Sequence, residues 1–214
     1  AYILNSGSVV LQQNGNTASL VPETFHNLKL TGSGIFNMNE VASIKGDLEV
    51  EGSASLTNVN ELNITGLLEV ATSGSISLIG DIEVGNLLLS SGTLTDGGNV
   101  ITINGSGWTN QGGTFNTSGE TYFSSAQEQT ISGSQSTSFK HLTIDNSSAT
   151  GVVLNQPIQV SEALDLKDGV VYSSGSALLT LLDDANSDPG TNASFVDGPM
   201  KKIGDDAFVF PIGD

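Results

Sequence analysis

The residues whose types and spacing most clearly suggest a binding site are the oxygen donors of one acidic segment, Asp-Asp-Ala-Asn-Ser-Asp-Pro-Gly, at positions 183–190. Asp184, Asn186 and Asp188 alternate with other residues, as the first ligands of a calcium-binding loop do, because Ca²⁺ requires several oxygen ligands at short range. The pattern is incomplete, since Pro189 replaces the glycine of such a loop and Phe195 replaces its bidentate glutamate. Asp184, Asn186 and Asp188 are therefore candidate calcium ligands, and a solvated acidic turn is the alternative.

Three further acids, Asp145, Asp165 and Asp168, are expected to lie on one face of the fold, because they belong to or follow alternating apolar segments. Glycosidases use paired carboxylates, so a carbohydrate-active protein is one alternative. The chain has no arginine that would neutralise an acidic polysaccharide, and scattered surface acids are the simpler interpretation. His26 and His141 lack the spacing of a zinc site. We therefore predict no catalytic residue, no enzymatic activity and no cofactor apart from the candidate calcium ion.

The charge balance excludes several classes of partner. The 214-residue chain has six lysines, 23 acidic residues and a formal net charge of −17, so it would be repelled by nucleic acids and by anionic membranes. The absence of cysteine excludes disulfides and thiolate metal sites. No stretch approaches the ~18 apolar residues that indicate a membrane span. We expect neither direct membrane insertion nor a signal peptide at the start of this sequence.

Apolar residues recur every twenty positions, which indicates a repeat architecture. The clearest column is Leu28, Leu48, Leu68 and Leu88, with Trp108 at the next position of the series. We expect this column to form a continuous stack along the axis of the fold, with Trp108 filling the core. Two other columns have the same spacing: Ile44, Ile64, Val84 and Phe36, Leu56, Ile76.

Each column lies within a short alternating segment such as Leu48-Glu49-Val50, which is the pattern of a half-buried strand. Glycine and asparagine separate these segments, as in Asp96-Gly97-Gly98-Asn99, where the chain must turn. About three strands per twenty residues predict an all-β fold, a right-handed parallel β-helix (solenoid) with coils of ~20 residues that stack ~4.8 Å apart. One outward column is expected to contain Lys29, Glu49 and Glu69.

These repeats also predict the domain organisation. Residues 1–194 form the parallel β-helix, and residues 195–214 begin a following β-module or a linker. The repeat spacing loosens over residues 111–135, so this segment is either a coil or an excursion from the stack. The sequence leaves open whether the first coil is capped.

Several motifs in residues 110–214 resemble those of large Bacteroidetes surface proteins. The Q-x-I-x-G, F-x-x-L-x-I-x-N and L-x-L-x-x-G units of that family are similar to segments beginning at Gln129, Phe139 and Leu164. The segment 194–214 is similar to the V-x-G-P-x-x-K-x-G…F-x-F-P-x-G signature that follows such arrays. The resemblance implies export of the parent protein by the type IX secretion system and an extracellular or cell-surface location, as in adhesins and gliding-motility proteins.

The expected function is structural or adhesive. We expect a segment of a secreted bacterial cell-surface protein, a stiff β-solenoid rod that presents loops for weak, multivalent contacts. The expected partners are surface glycans or other cell-surface and secretion proteins. The alternatives are a β-helix that binds or cleaves polysaccharides and a calcium-stabilised spacer.

Overall fold

The structure is a computed structural model that describes residues 6–20, 24–39 and 42–213. It is all-β, and its parallel strands stack as a solenoid of about nine turns with about twenty residues per turn. The predicted fold class is therefore confirmed. The described ranges contain no helix that could cross a membrane. Residues 1–5 of the expected β-helix and Asp214 of the expected following module lie outside the described residues.

The described residues form 23 strands. The first twelve are β1 (Ser8–Gln13), β2 (Thr17–Ser19), β3 (Thr24–Phe25), β4 (Asn27–Gly32), β5 (Ile35–Asn37), β6 (Ala42–Ile44), β7 (Leu48–Val50), β8 (Ser55–Val59), β9 (Leu62–Val70), β10 (Ser75–Leu78), β11 (Ile82–Leu89) and β12 (Thr93–Thr95). The others are β13 (Val100–Asn110), β14 (Thr114–Asn116), β15 (Glu120–Ser125), β16 (Gln129–Gly133), β17 (Thr137–Asn146), β18 (Val152–Leu154), β19 (Ile158–Tyr172), β20 (Leu179–Leu181), β21 (Asn186–Ser187), β22 (Ser194–Asp197) and β23 (Met200–Lys202).

Each coil distributes its strands over three faces, and the longer strands turn a corner from one face to the next. The first face contains residues 24–25, 42–44, 62–64, 82–84, 100–103, 120–125, 141–146, 163–168 and 186–187. The second face contains residues 8–13, 27–32, 48–50, 67–70, 86–89, 107–110, 129–133, 152–154, 169–172 and 194–197. The third face contains residues 17–19, 35–37, 55–59, 75–78, 93–95 and 114–116, which form a separate six-stranded sheet. It continues with residues 137–139, 158–160, 179–181 and 200–202, which pair with one another as part of the larger sheet.

The core is a set of apolar columns that run along the axis. Successive residues of a strand point to opposite sides, so every second side chain enters the coil and meets its equivalents in the coils above and below. The predicted columns of the first and third faces are confirmed by strand pairing, and their members are at most 2% exposed. They are Ile44, Ile64, Val84 and Phe36, Leu56, Ile76.

The second-face column departs from its prediction at the fourth position. Pairing follows the twenty-residue spacing as far as Leu68, but Leu68 then pairs with Leu87, and Leu87 pairs with Trp108. Leu87 is 1% exposed and Trp108 is fully buried, whereas Leu88 is half-buried on the outer surface. The prediction that Leu88 continues the core column is therefore wrong, and the prediction for Trp108 is confirmed.

The corner between the first and second faces explains this difference. Thr65 and Gly66 form the corner in one coil, Gly85 alone forms it in the next, and residues 104–106 form it in the coil after that. A Cβ on Gly85 would lie 2.3 Å from the carbonyl oxygen of Thr65 and 2.6 Å from that of Gly66, so glycine suits the shortened corner. The longer corner that follows restores the register, which is why Trp108 lies in the predicted column.

Trp108 organises an aromatic group in the core. Its ring centroid lies 4.8 Å from that of Phe115 and 5.4 Å from that of Phe139. The indole Nε1–H donates a hydrogen bond to Thr137 Oγ1 at 3.1 Å. A buried indole requires such an acceptor, because an unpaired N–H in an apolar core is costly.

The stack is continuous across two segments where the repeat spacing changes. Residues 111–135 form a coil, because β14 pairs with β12, and β15 and β16 both pair with β13. Near the end, β22 pairs with β19 and β23 pairs with β20. The expected boundary between residues 194 and 195 therefore falls inside a strand, and the stacking continues through β23 to a parallel bridge between Val196 and Ile212.

The outward column of Lys29, Glu49 and Glu69 is confirmed by strand pairing. Lys29 Nζ lies 3.0 Å from a Glu51 carboxylate oxygen and 3.1 Å from a Glu49 oxygen. Hydrogen bonds to Glu51 and Glu49 raise the pKa of Lys29. Exposed ion pairs contribute little to stability, so this column chiefly marks the register of the coils.

Candidate functional site

The first face brings the three predicted acids onto neighbouring strands. β17 and β19 pair in parallel, so that Thr143 opposes Asp165 and Asp145 opposes Asp168. Tyr122 on β15 opposes Thr143, and these side chains therefore share the outer surface of one sheet. The structure thus places Asp145, Asp165 and Asp168 on one face of the solenoid, as the sequence indicates.

Tyr122 is the aromatic residue of this surface. Its hydroxyl donates a hydrogen bond to Asp145 Oδ2. This bond, together with burial and the negative charge of Asp145 and Glu120, raises the pKa of Tyr122 to about 12. Lys167 Nζ lies 4.7 Å from the ring centroid, so a cation covers one side of the ring. That side of Tyr122 is not open for stacking against a sugar.

Two of the carboxylates have polar partners on the same face. Asp165 Oδ2 lies 3.3 Å from His141 Nε2, and the Thr143 hydroxyl donates to the Glu120 carboxylate. Asp145 accepts the hydrogen bond from Tyr122, and Asp165 is paired with His141. Neither is therefore a free carboxylate of the kind that flanks a glycosidic bond. The surface is equipped to hydrogen-bond to a ligand's hydroxyl groups.

The acidic character of the first face continues along the stack. The Glu83 carboxylate on β11 accepts hydrogen bonds from the amides of Asn63 at 3.1 Å and Asn104 at 2.5 Å. Glu61 and Asp81 line a shallow groove of about 210 Å³ beside it. Sequence reasoning missed this extension, although Asn63 and Glu83 have the twenty-residue spacing that would have revealed it. A surface of this charge attracts cations and repels anionic ligands.

Of the three predicted calcium ligands, Asp184 belongs to a cluster of acidic side chains. Asp184 has a left-handed backbone, with φ at 62°, and clusters with Asp183 and Asp206. Within the described ranges, this is the only set of three acidic or histidine side chains whose ligand atoms lie within 4.8 Å of one another. Asn186 begins β21 and Asp188 follows it, and both are exposed. Only Asp184 of the three predicted ligands belongs to the cluster.

A lysine already brings positive charge to this cluster. Lys202 Nζ lies 3.6 Å from Asp206 Oδ2, and the Lys202 side chain is 7% exposed. The ammonium group donates hydrogen bonds to the carbonyl oxygens of Leu182 at 2.9 Å and Ile203 at 2.7 Å. It therefore offsets part of the repulsion among the carboxylates. The same carboxylates are ligands that Ca²⁺ accepts, so the chemistry of the donors fits the predicted ion in part.

Asp96 is a buried carboxylate that the sequence reasoning treated only as part of a turn. It is fully buried and accepts hydrogen bonds from the backbone N–H groups of Gly98, Ser118 and Gly119 and from the Ser118 hydroxyl, at 2.8 to 3.2 Å. Burial alone would raise the pKa of Asp96, but these donors outweigh burial and lower it. Asp96 therefore fastens one coil to the next and is not accessible to a ligand.

Comparisons with known proteins identify no relative of this chain. No protein-family model matches the chain, and neither a curated protein nor a solved structure matches it. The functional proposal therefore depends on the fold, on the contacts described above and on the motifs of the sequence.

Proposed function

We propose that the chain is a structural and adhesive segment of a secreted bacterial cell-surface protein. It acts as a stiff β-solenoid rod that presents side chains and loops for weak, multivalent contacts. The observation that carries this proposal is the unbroken parallel pairing along the second face, which runs from Ser8 to Asp197.

This continuity gives the rod its stiffness. Rows of main-chain hydrogen bonds connect each coil to its neighbours, and the apolar columns fill the interior. With ~4.8 Å per coil, about nine coils span ~43 Å. A load applied along the axis is shared by all the hydrogen bonds between two successive coils. Separating the coils therefore requires that many bonds break together.

The motifs of residues 110–214 support a location outside the cell. Their resemblance to Bacteroidetes surface proteins supports export of the parent protein by type IX secretion and a role in adhesion or gliding motility. A net charge of −17 keeps neighbouring rods apart at a crowded surface. Surface glycans and other cell-surface or secretion proteins are the proposed partners.

Two observations favour alternative functions. Tyr122, His141 and Asp145 place hydroxyl, imidazole and carboxylate groups on one surface, which favours a carbohydrate-active β-helix. The cluster of Asp183, Asp184 and Asp206 favours a calcium-stabilised spacer. The rod is favoured over both, because Lys202 already accompanies the cluster, and Asp145 and Asp165 already have polar partners.

Two measurements on the purified chain test the proposal. Small-angle X-ray scattering is expected to fit a cylinder ~43 Å long better than a sphere of the same volume, and an equally good fit to the sphere would refute the rod. On a glycan array, beads that carry many copies should be retained about 10²–10⁴ times more strongly than the single chain. Equal retention would refute multivalent adhesion. Depolymerisation of an array glycan would replace the proposal with the carbohydrate-active alternative.

A further inference from the structure

Two leucines lie on the outer surface of the second face, each next to polar residues of the coils before and after it. Leu67 follows Asp47, whose Oδ1 accepts the Leu67 N–H at 2.8 Å. Leu88 follows Glu69 in the column that also contains Val10, Lys29 and Glu49. Both leucines are half-buried and point away from the core.

The leucines form part of the floor of a shallow groove of about 310 Å³. Gly107 continues this floor, opposite Asn86 in the strand pairing. The φ of Gly107 is +134°, and a Cβ there would lie 2.0 Å from the carbonyl oxygen of Thr130, so the position must remain glycine. The shortened corner at Gly85 also contributes to the groove, because it turns Leu88 outward.

Uncharged polar groups surround this floor. Asn86 Oδ1 accepts hydrogen bonds from the N–H and the hydroxyl of Ser106, both at 2.6 Å, which fixes the orientation of the amide. The Asn86 amide nitrogen makes no hydrogen bond to any described residue. In the same part of the chain, the Gln111 amide and the Thr130 hydroxyl make no side-chain hydrogen bond either. Three polar groups at the rim are therefore available to a ligand.

We propose that this groove binds a segment of an uncharged carbohydrate. The C–H faces of the sugar rings would cover Leu67 and Leu88, and their hydroxyls would bond to Asn86, Gln111 and Thr130, which is the usual combination of apolar floor and few polar contacts in a ligand site. None of the ten lining residues is ionisable, although the chain carries a net charge of −17. The lining therefore selects a neutral ligand.

A second copy of the chain does not fit this groove. Two chains of net charge −17 repel each other, and a stable protein interface takes roughly 20–30 residues from each partner, well above the ten that line the groove. The carbohydrate site rests on the proposed adhesive function and deepens it, because it names the ligand class and the surface that receives it.

The test is an NMR titration of the whole chain with labelled leucine methyl groups. The probes are cellohexaose, xylohexaose and laminarihexaose, with hexagalacturonate as the charged comparison. We expect at least one neutral hexasaccharide to shift the methyl resonances of Leu67 and Leu88, and we expect hexagalacturonate to shift neither. The L88S variant should bind that hexasaccharide at least about tenfold more weakly.

The matched control is I79S, since Ile79 is also an exposed apolar residue, at 58%, but follows the third face. The I79S variant should bind as tightly as the unchanged protein does. Both variants should have the melting temperature of the unchanged protein, because neither residue lies in the core. The inference is overturned if no neutral hexasaccharide shifts Leu67 or Leu88, or if I79S and L88S weaken binding equally. X-ray scattering tests the rod separately, so failure of the groove and failure of the rod are distinguishable.

Discussion

Replacing Leu87 and Leu88 separately by alanine tests the register of the second face. Leu87 is 1% exposed and lies between Leu68 and Trp108 in the core column. Leu88 is its neighbour in sequence and is half-buried on the outer surface. The two variants lose the same three carbons from adjacent positions of one strand, so a difference between them reports the difference in burial.

The structure sets the expected magnitudes. Leu→Ala at a buried position costs about 2–5 kcal/mol, and the cost is largest where the surroundings cannot close the cavity. Strand pairing fixes the backbones of Leu68 and Trp108, so we expect Leu87→Ala to cost about 3–4 kcal/mol. In a chain of this size that corresponds to a Tm lower by roughly 6–15 °C. Leu88→Ala should cost less than about 1 kcal/mol, as for a surface position.

The assay is urea unfolding followed by circular dichroism, with thermal melts of the same samples. The unfolding midpoints of the unchanged protein and the two variants can be compared only if the free energy of unfolding depends on urea with the same slope in all three. If Leu88→Ala destabilises the chain as much as Leu87→Ala, the twenty-residue period continues through this coil, and the pairing of β11 with β9 and β13 is incorrect.

Three other changes test the remaining contacts. Asp96→Asn should cost roughly 1–3 kcal/mol, because backbone N–H groups lose a charged acceptor, while Asp81→Asn, at an exposed position, should change stability little in the same urea assay. Because the folded-state pKa of Asp96 is lowered from 3.8, its contribution is present above that value and is lost as pH falls towards the folded pKa. Stability measured against pH in the acid range should therefore fall less steeply in Asp96→Asn. Thr137→Val leaves the Trp108 indole N–H unpaired and should cost about 1–3 kcal/mol, measured by unfolding followed by tryptophan fluorescence. A calcium chelator should leave the melting temperature unchanged, and a lower melting temperature in chelator that Asp184→Asn abolishes would favour the calcium-stabilised spacer instead.

The fold was predictable because its signal is repeated. Each inward position of a coil recurs in the next coil, so a column such as Ile44, Ile64 and Val84 is detected even though each strand is only a few residues long. A single three-residue strand carries too little pattern to be recognised alone. The segment 111–135 was harder to interpret because its repeats have a different spacing, although its strands pair in the same way.

The candidate sites were predictable only in part. The outward position of Asp145 and Asp165 follows from strand alternation, but their partners Tyr122 and His141 come from neighbouring coils and depend on the register between strands. The cluster around Asp184 could not be predicted, because Asp206 approaches it only through the path of the chain after β23. Spacing within one segment therefore could not indicate Asp206 as a neighbour of Asp184.

The wrong prediction for Leu88 shows which parts of a solenoid coil keep the twenty-residue period and which parts do not. Ile44, Ile64 and Val84 keep a spacing of twenty on the first face, while the second face gains or loses a residue at the corner beside it. A paired face changes length only through a β-bulge, as after Ile144 of β17, where β19 has one additional residue. A corner changes length without disturbing the paired strands, provided that glycine is available where backbones approach. A one-residue change at a corner therefore rotates the following strand by one position and exchanges its inward and outward side chains. In this chain the exchange keeps a leucine in the core and places Leu88 on the surface beside a groove, while the stacking of the solenoid is unchanged.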